Sequence, residues 1–168
     1  MWNTPYRVAV LTASDKGAKG ERIDESGPLL KKKMEALGCV VTDTRLLPDD
    51  QAAISSQLQT WSEDDSADLI LTTGGTGLSP RDCTPEATLS VAHRQVPGIS
   101  EAMRARSLSI TPRGMLSRGV SALCHNTLII NLPGSPKAAE ESLDAVLPVL
   151  EHALDTLRGN TGDCARTT

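Results

Sequence analysis

The chain has 168 residues, enough for one ordinary domain and short for two, and its 39% apolar and 23% charged residues allow a packed core under a charged surface. Aromatic residues make up only 2%, with no Phe, Tyr6 the sole tyrosine and Trp2 and Trp61 the only tryptophans. The core must therefore be aliphatic, and the ring platforms that stack single-stranded nucleic acid are missing. A formal net charge of −4 argues against a non-specific coat on DNA or RNA, which draws its affinity from a basic face.

The first element is Arg7-Val-Ala-Val-Leu-Thr-Ala13, a short β-branched and aliphatic run that reads as a buried strand. A polar, glycine-containing loop follows over residues 14–26. Leu29, Leu30, Lys33, Met34 and Leu37 then give helical spacing, with Gly38 as the stop. Val40 to Leu46 reads as a second strand, and Ile54, Leu58 and Trp61 fall on one face of a second helix. Asp68 to Thr73 is a third strand, running straight into Gly74-Gly-Thr-Gly77. Strand, helix, strand, helix, strand is the rhythm of a parallel sheet covered on both faces.

Thr84-Pro85 has the form of a helix start, with Thr84 as the cap, and residues 100–108 are helical by composition. Residues 120–123 and 128–131 are two strands separated by Cys124-His-Asn-Thr127, which predicts a hairpin or closely paired strands. The last element, Lys137 to Arg158, carries Leu143, Val146, Leu147, Leu150, Leu154 and Leu157 on a helical stripe that Pro148 is expected to kink or split. The expectation is a single α/β domain over residues 1–168: three layers, a mostly parallel central sheet with helices on both faces, an ordered core over about residues 5–159 and a polar C-terminal tail.

Cys39, Cys83, Cys124 and Cys164 form no close pair, which speaks against a zinc framework. With no secretory segment and no apolar run of membrane length, the reading is a soluble cytoplasmic protein with reduced thiols.

Three segments carry chemistry. Gly74 to Gly77 is a glycine-rich turn at the carboxyl end of a strand, where open α/β sheets bind ligands. It is either a tight structural turn or a phosphate cradle, and it matches neither a Walker loop nor a dinucleotide fingerprint. Asp82, a few residues on, can hold Mg²⁺ already bound to substrate phosphates; the alternatives are an ion pair with Arg81 or a helix cap. Pro48-Asp49-Asp50 follows the second strand and so reaches the same sheet edge, although two aspartates ahead of a helix also describe a cap. The third segment, Asn131-Leu-Pro-Gly-Ser-Pro-Lys137, offers backbone amides and a helix N-terminus to an anion.

Taken together, Leu46-Leu-Pro-Asp-Asp50, Leu71-Thr-Thr-Gly-Gly-Thr-Gly77, Arg81-Asp-Cys-Thr-Pro-Glu-Ala-Thr88, Pro97-Gly98 with Glu101-Ala-Met103, Ser107-Leu108, Met115-Leu-Ser-Arg118 and Ile129-Ile-Asn-Leu-Pro-Gly134 resemble the molybdenum cofactor biosynthesis family. The match is to its molybdopterin adenylyltransferase branch, the Mog/MoaB type also found as a domain of gephyrin, and covers nearly the whole chain.

The resemblance implies transfer of AMP from Mg-ATP to the terminal phosphate of molybdopterin, with release of pyrophosphate. It places the metal-linked aspartates, which are also the catalytic ones, at Asp49 and Asp82. Ligand contacts fall at Ser14, Gly74, Gly75, Thr76 and Gly77, at Ser107 and Ser117, and at Asn131, Pro133 and Gly134. It further implies a homotrimer, hand-over to a molybdenum-insertion protein, and no nucleic-acid or membrane partner. The alternative is a non-catalytic molybdopterin-binding or scaffold module of the same fold. Because a phosphate attacks a phosphate, no protein nucleophile is required, and His93, His125 and His152 read as surface or packing residues. Cys83 reads as a small apolar residue, with a reactive thiol as the alternative. Arg104, Arg106, Arg113 and Arg118 form either a solvated helix face or an electropositive wall.

Overall fold

Alternation of buried side chains along three apolar strands organises the computed structural model, which describes residues 1–160. The tail read from the sequence falls, after Asn160, outside the described residues. The strands are β1 (Arg7–Ala13), β2 (Val40–Leu47), β3 (Leu69–Thr73), β4 (Arg94–Gln95), β5 (Ser121–Cys124) and β6 (Thr127–Leu132). They form one sheet in the order β2-β1-β3-β6-β5-β4. The pairings β1/β2, β1/β3 and β3/β6 are parallel; β5/β6 and β4/β5 are antiparallel.

On one face, Val8, Val10, Leu69, Leu71, Leu128, Ile130 and Leu132 pack against α2 (Ser26–Ala36), α5 (Pro97–Ile110) and α6 (Pro136–Leu157). On the other, Ala9, Leu11, Ala13, Ile70 and Ile129 meet Ile54, Leu58 and Trp61 of α3 (Gln51–Glu63) and Ala87 of α4 (Thr84–Val91). Successive strand residues thus feed opposite layers, which is why β1, β3 and β6 read as continuous apolar runs. Each fully buried aliphatic side chain contributes about 1.5–3 kcal/mol.

The sequence reading needs two corrections. The last helix is not split: α6 runs unbroken through Pro148. Leu143 and Val146 before the proline and Leu150 and Leu154 after it are all buried against the same face of the sheet, and that packing outweighs the one missing N–H. Thr84 is not the cap of α4 but its first helical residue; Cys83 occupies the cap position and makes no side-chain capping bond. The predicted hairpin is present, with its two-residue turn at His125-Asn126. Strand β4, the one-turn helix α1 (Asp15–Ala18) and the 3-10 helix at Pro112–Leu116 carry too few residues for a periodic signal.

Chain order sets the place for a ligand. From β1 the chain moves outward to β2 and then returns to β3 on the other side of β1, so the carboxyl ends of β1 and β3 flank a topological switch point.

Candidate active site

At that switch point lies a cleft of about 430 Å³, with Ser14, Asp49, Gly74, Gly75, Asp82 and Gly134 among its lining residues. The loops after β1, β2, β3 and β6 all contribute. Gly74 has φ +90° and Gly75 φ +66°, a region that L side chains rarely adopt. A Cβ on Gly74 would also collide with the Ala13 carbonyl oxygen, so the turn lies directly on the end of β1. The loop after β6 is fastened to the same place: Gly74 N donates to Leu132 O at 3.2 Å, and Thr73 Oγ1 donates to Pro133 O at 2.7 Å.

The paired aspartates after β2 divide their work. Asp50 caps α3, accepting from Ala53 N at 2.8 Å, which leaves Asp49 for the cleft. Asp49 and Asp15 clasp each other: Asp15 N donates to Asp49 Oδ2 and Asp49 N donates to Asp15 Oδ1, both at 3.0 Å. Arg81 closes the group with a forked pair on Asp15, at 2.9 and 3.1 Å. Arg81 therefore pairs with Asp15, not with its neighbour Asp82. The Arg81 guanidinium holds the Asp15 carboxyl below the usual carboxylate range. Asp49 goes the other way: burial raises its pKa, the Asp15 and Asp82 carboxylates add to the rise, and the Asp15 N–H opposes it.

Asp82 ends a tight turn in which Ser79 N donates to Asp82 Oδ2 at 3.2 Å and Asp82 N donates to Ser79 O at 2.9 Å. Arg118 clamps this loop from behind. Its N–H donates to Thr76 O (2.9 Å), its Nε to Gly77 O (2.7 Å) and its Nη2 to Asp82 O (2.9 Å), while Nη1 pairs with Glu86. Of the basic run, Arg118 is a loop fastener, and Arg104 holds the Gly119 carbonyl at 2.8 Å.

The remaining residues expected from sequence lie elsewhere. Ser107, Ser117, Asn131 and Pro133 share a separate crevice of only about 10 Å³, room for roughly one water at most. Asn131 is 2% exposed, and its side chain is engaged internally. It donates to Thr72 Oγ1 and Thr88 Oγ1, both at 2.9 Å, and accepts from Val120 N at 3.2 Å. Thr76 is buried, and Gly77 lies against Asp82, where a Cβ would stand 2.9 Å from Oδ2. The structure thus gathers Ser14, Asp49, Gly74, Gly75, Asp82 and Gly134, and sets the Ser107/Ser117 group apart.

Asp24 was missed by the sequence reading. It lines the cleft, accepts from Thr12 Oγ1 at 2.7 Å and from Gly27 N at 3.0 Å, and so pins the start of α2 to β1. An acidic residue just before Ser26-Gly-Pro28 was its available signal, that of a helix start.

Among the described residues that line the cleft, Asp24, Glu25, Asp49 and Asp82 stand against one cation, Arg22, so a polyphosphate needs accompanying positive charge to enter it. Among the described residues no group of three or more His, Cys, Asp or Glu forms a metal cage. That fits magnesium, which takes one or two carboxylates and completes its shell with substrate phosphates and water. The Oδ1 atom of Asp49 is buried without a hydrogen-bond partner, as a carboxylate reserved for a cation would be. No aromatic ring lines the cleft. No described helix is long and apolar enough to cross a membrane. Cys39, Cys83 and Cys124 are free thiols; burial pushes Cys39 up to about 11.

Residues 9–152 match the family model described as "Probable molybdopterin binding domain". Gephyrin of Dictyostelium discoideum is 44% identical over 88% of this chain, which spans 22% of that protein. A protein of Escherichia coli named molybdopterin adenylyltransferase is 42% identical, covering 83% of this chain and 73% of its own length. The crystal structure of the molybdopterin biosynthesis enzyme MoaB of Thermus thermophilus superposes with a TM-score of 0.87 at 49% identity, covering 92% of this chain and 97% of that one. The switch-point cleft, the glycine turn and these likenesses lead to one conclusion: the chain belongs to the molybdopterin-binding domain family of molybdenum cofactor biosynthesis, with MoaB, the molybdopterin adenylyltransferases and the matching domain of gephyrin.

Proposed function

We propose that the chain is a molybdopterin adenylyltransferase. The terminal phosphate oxygen of molybdopterin attacks the α-phosphorus of ATP, the bond from that phosphorus to the bridging oxygen breaks, and pyrophosphate leaves with the electron pair. The observation that carries this reading is the convergence of Asp49 and Asp82, from the loops after two different strands, on one acidic cleft floored by the Gly74-Gly75 turn. Asp49 and Asp82 would hold magnesium, which supplies the charge neutralisation a triphosphate needs when a second anion approaches it. The chain's own part is alignment: Gly74 and Gly75 present backbone to phosphate, and the Asp15–Asp49 clasp and the Arg118 clamp fix the two carboxylate loops.

The same reading includes a homotrimer, hand-over to a molybdenum-insertion protein and a cytoplasmic setting. Exposed Leu108, Ile110, Met115 and Leu116, close together in sequence at the end of α5 and in the 3-10 helix, support self-association.

Asp82→Asn incubated with molybdopterin and radiolabelled Mg-ATP should form adenylyl-molybdopterin at least about 10²-fold more slowly than the wild type. Undiminished turnover in a folded variant would overturn the metal role. Tight molybdopterin binding by the wild type with no pyrophosphate release would assign it instead as a non-catalytic binding module.

A further inference from the structure

Among the described residues, two buried side-chain polar atoms have no hydrogen-bond partner: Asp49 Oδ1 and Thr84 Oγ1. They sit at one place. A Cβ built on Gly75 would stand 3.1 Å from Asp49 Oδ1 and would collide with Thr84 Oγ1, so both atoms flank the same edge of the glycine turn. Thr84 N donates to Gly75 O at 3.1 Å, which fixes the start of α4 to that turn.

The unpaired hydroxyl has no fold-level explanation. A helical threonine usually satisfies itself on the carbonyl one turn back, as Thr88 does on Thr84 O at 3.0 Å. Thr84 is the first residue of its helix and has no such carbonyl beneath it. It is 0% exposed, so bulk solvent does not reach it. An unmade hydrogen bond at a buried hydroxyl is destabilising, and valine would fill the same shape without that cost. A threonine here makes physical sense when the hydroxyl finds its partner in another state. The nearby candidate is Asp49 Oδ1, at the same edge of the turn, whose companion oxygen Oδ2 is already held by Asp15 N.

We propose that Thr84 is a positioning residue of the cleft: when Mg-ATP is bound, its hydroxyl donates to Asp49 Oδ1 and fixes the carboxylate in the orientation that serves the cation. This rests on the adenylyltransferase reading above. Both atoms are unpaired in the structure, and in the proposed complex they pair with each other.

The test compares Thr84→Val, Thr84→Ser and Asp49→Asn by melting temperature without ligand and by equilibrium binding of Mg-ATP in the absence of molybdopterin. Thr84→Val should melt about 2–4 °C higher than the wild type when empty and bind Mg-ATP about five- to twentyfold more weakly. Thr84→Ser should recover most of that affinity. A merely structural hydroxyl gives the opposite pattern, lower stability for valine with unchanged Mg-ATP binding, and that result overturns the proposal, as does valine matching the wild type in both measurements. Should valine not fold, Thr84→Ala against Thr84→Ser reads the same difference in affinity; equal affinities overturn the proposal. If Asp49→Asn also leaves Mg-ATP binding untouched, the reading of the cleft itself fails; if it weakens binding while Thr84→Val does not, the role of Thr84 alone fails.

Discussion

Two largely buried aspartates, at opposite ends of the same sheet, live in opposite electrostatic worlds. Asp68, just before β3, is 2% exposed and fully engaged: it accepts from Arg7 N at 2.7 Å and Arg7 Nη2 at 2.8 Å, and from Arg158. Burial pushes its pKa up, but hydrogen bonds from Arg7 and Arg158 outweigh burial and hold it below the usual carboxylate range. Asp49, after β2, has one oxygen on a backbone N–H and the other on nothing; burial, with like charges nearby, raises its pKa. One end of the sheet is satisfied and the other is left wanting a cation. Residues that complete a fold and residues kept for a ligand can thus be told apart by their unmet bonds.

Breaking the satisfied end should have the largest effect. Asp68→Ala strips Arg158 of this carboxylate and leaves Arg7 only its exposed pair with Asp65, and should cost about 3 kcal/mol in denaturant unfolding, with KM for Mg-ATP unchanged. Asp49→Asn should do the converse, lowering kcat/KM about 10²-fold while the empty protein melts no lower than the wild type. Arg118→Lys keeps the charge near Glu86 but loses the fork that grips Gly77 and Asp82. Its Mg-ATP affinity should fall about three- to tenfold by calorimetry, and the loss should shrink in an Asp82→Asn background.

The smallest and sharpest effect is in pH. Asp68 has a folded pKa below its unfolded one, so its stabilisation is present at neutral pH and is lost as pH falls through the lowered value. Asp49 has a folded pKa above its unfolded one, so its ionisation costs stability at neutral pH. That cost shrinks as pH falls through the raised value and is gone below the ordinary carboxylate range. Melting curves from pH 7 to pH 3 should therefore converge with those of Asp49→Asn well before the benefit from Asp68 disappears. Parallel profiles for the two variants would contradict the contrast.

The centre of the fold was legible because β1, β3 and β6 are buried on both faces, and two-sided burial writes itself as unbroken apolar runs. The glycine turn and the two aspartate loops were legible because parallel strands bring their carboxyl ends to one edge. What sequence could not decide was the division of work within a motif. Asp49 and Asp50 are the same residue type side by side, and only the backbone shows which one caps α3. Thr84 satisfies every rule for a cap yet sits one position inside the helix. Asn131 lies in a motif of ligand-binding type, but its amide ties β6 to Thr72 and Thr88, contacts made across more than forty residues that no local pattern encodes. The role of Arg118 was invisible for the same reason: it acts on a segment remote from it in the chain.

The placement of the few rings has an optical consequence. Trp2 packs edge-on to Tyr6, with ring centroids 6.1 Å apart, Arg158 lies over the Tyr6 ring, and Trp61, on α3, donates its indole N–H to Asp43. The ultraviolet emission of the protein therefore originates at its walls and at the Asp68 end, while no indole or phenol touches the cleft. Tryptophan fluorescence is then a gauge of unfolding that contact with a bound heterocycle does not disturb, and a fluorescent nucleotide analogue seated in the cleft escapes quenching by stacked rings. Folding and occupancy can be followed in one cuvette, at two wavelengths, as separate signals.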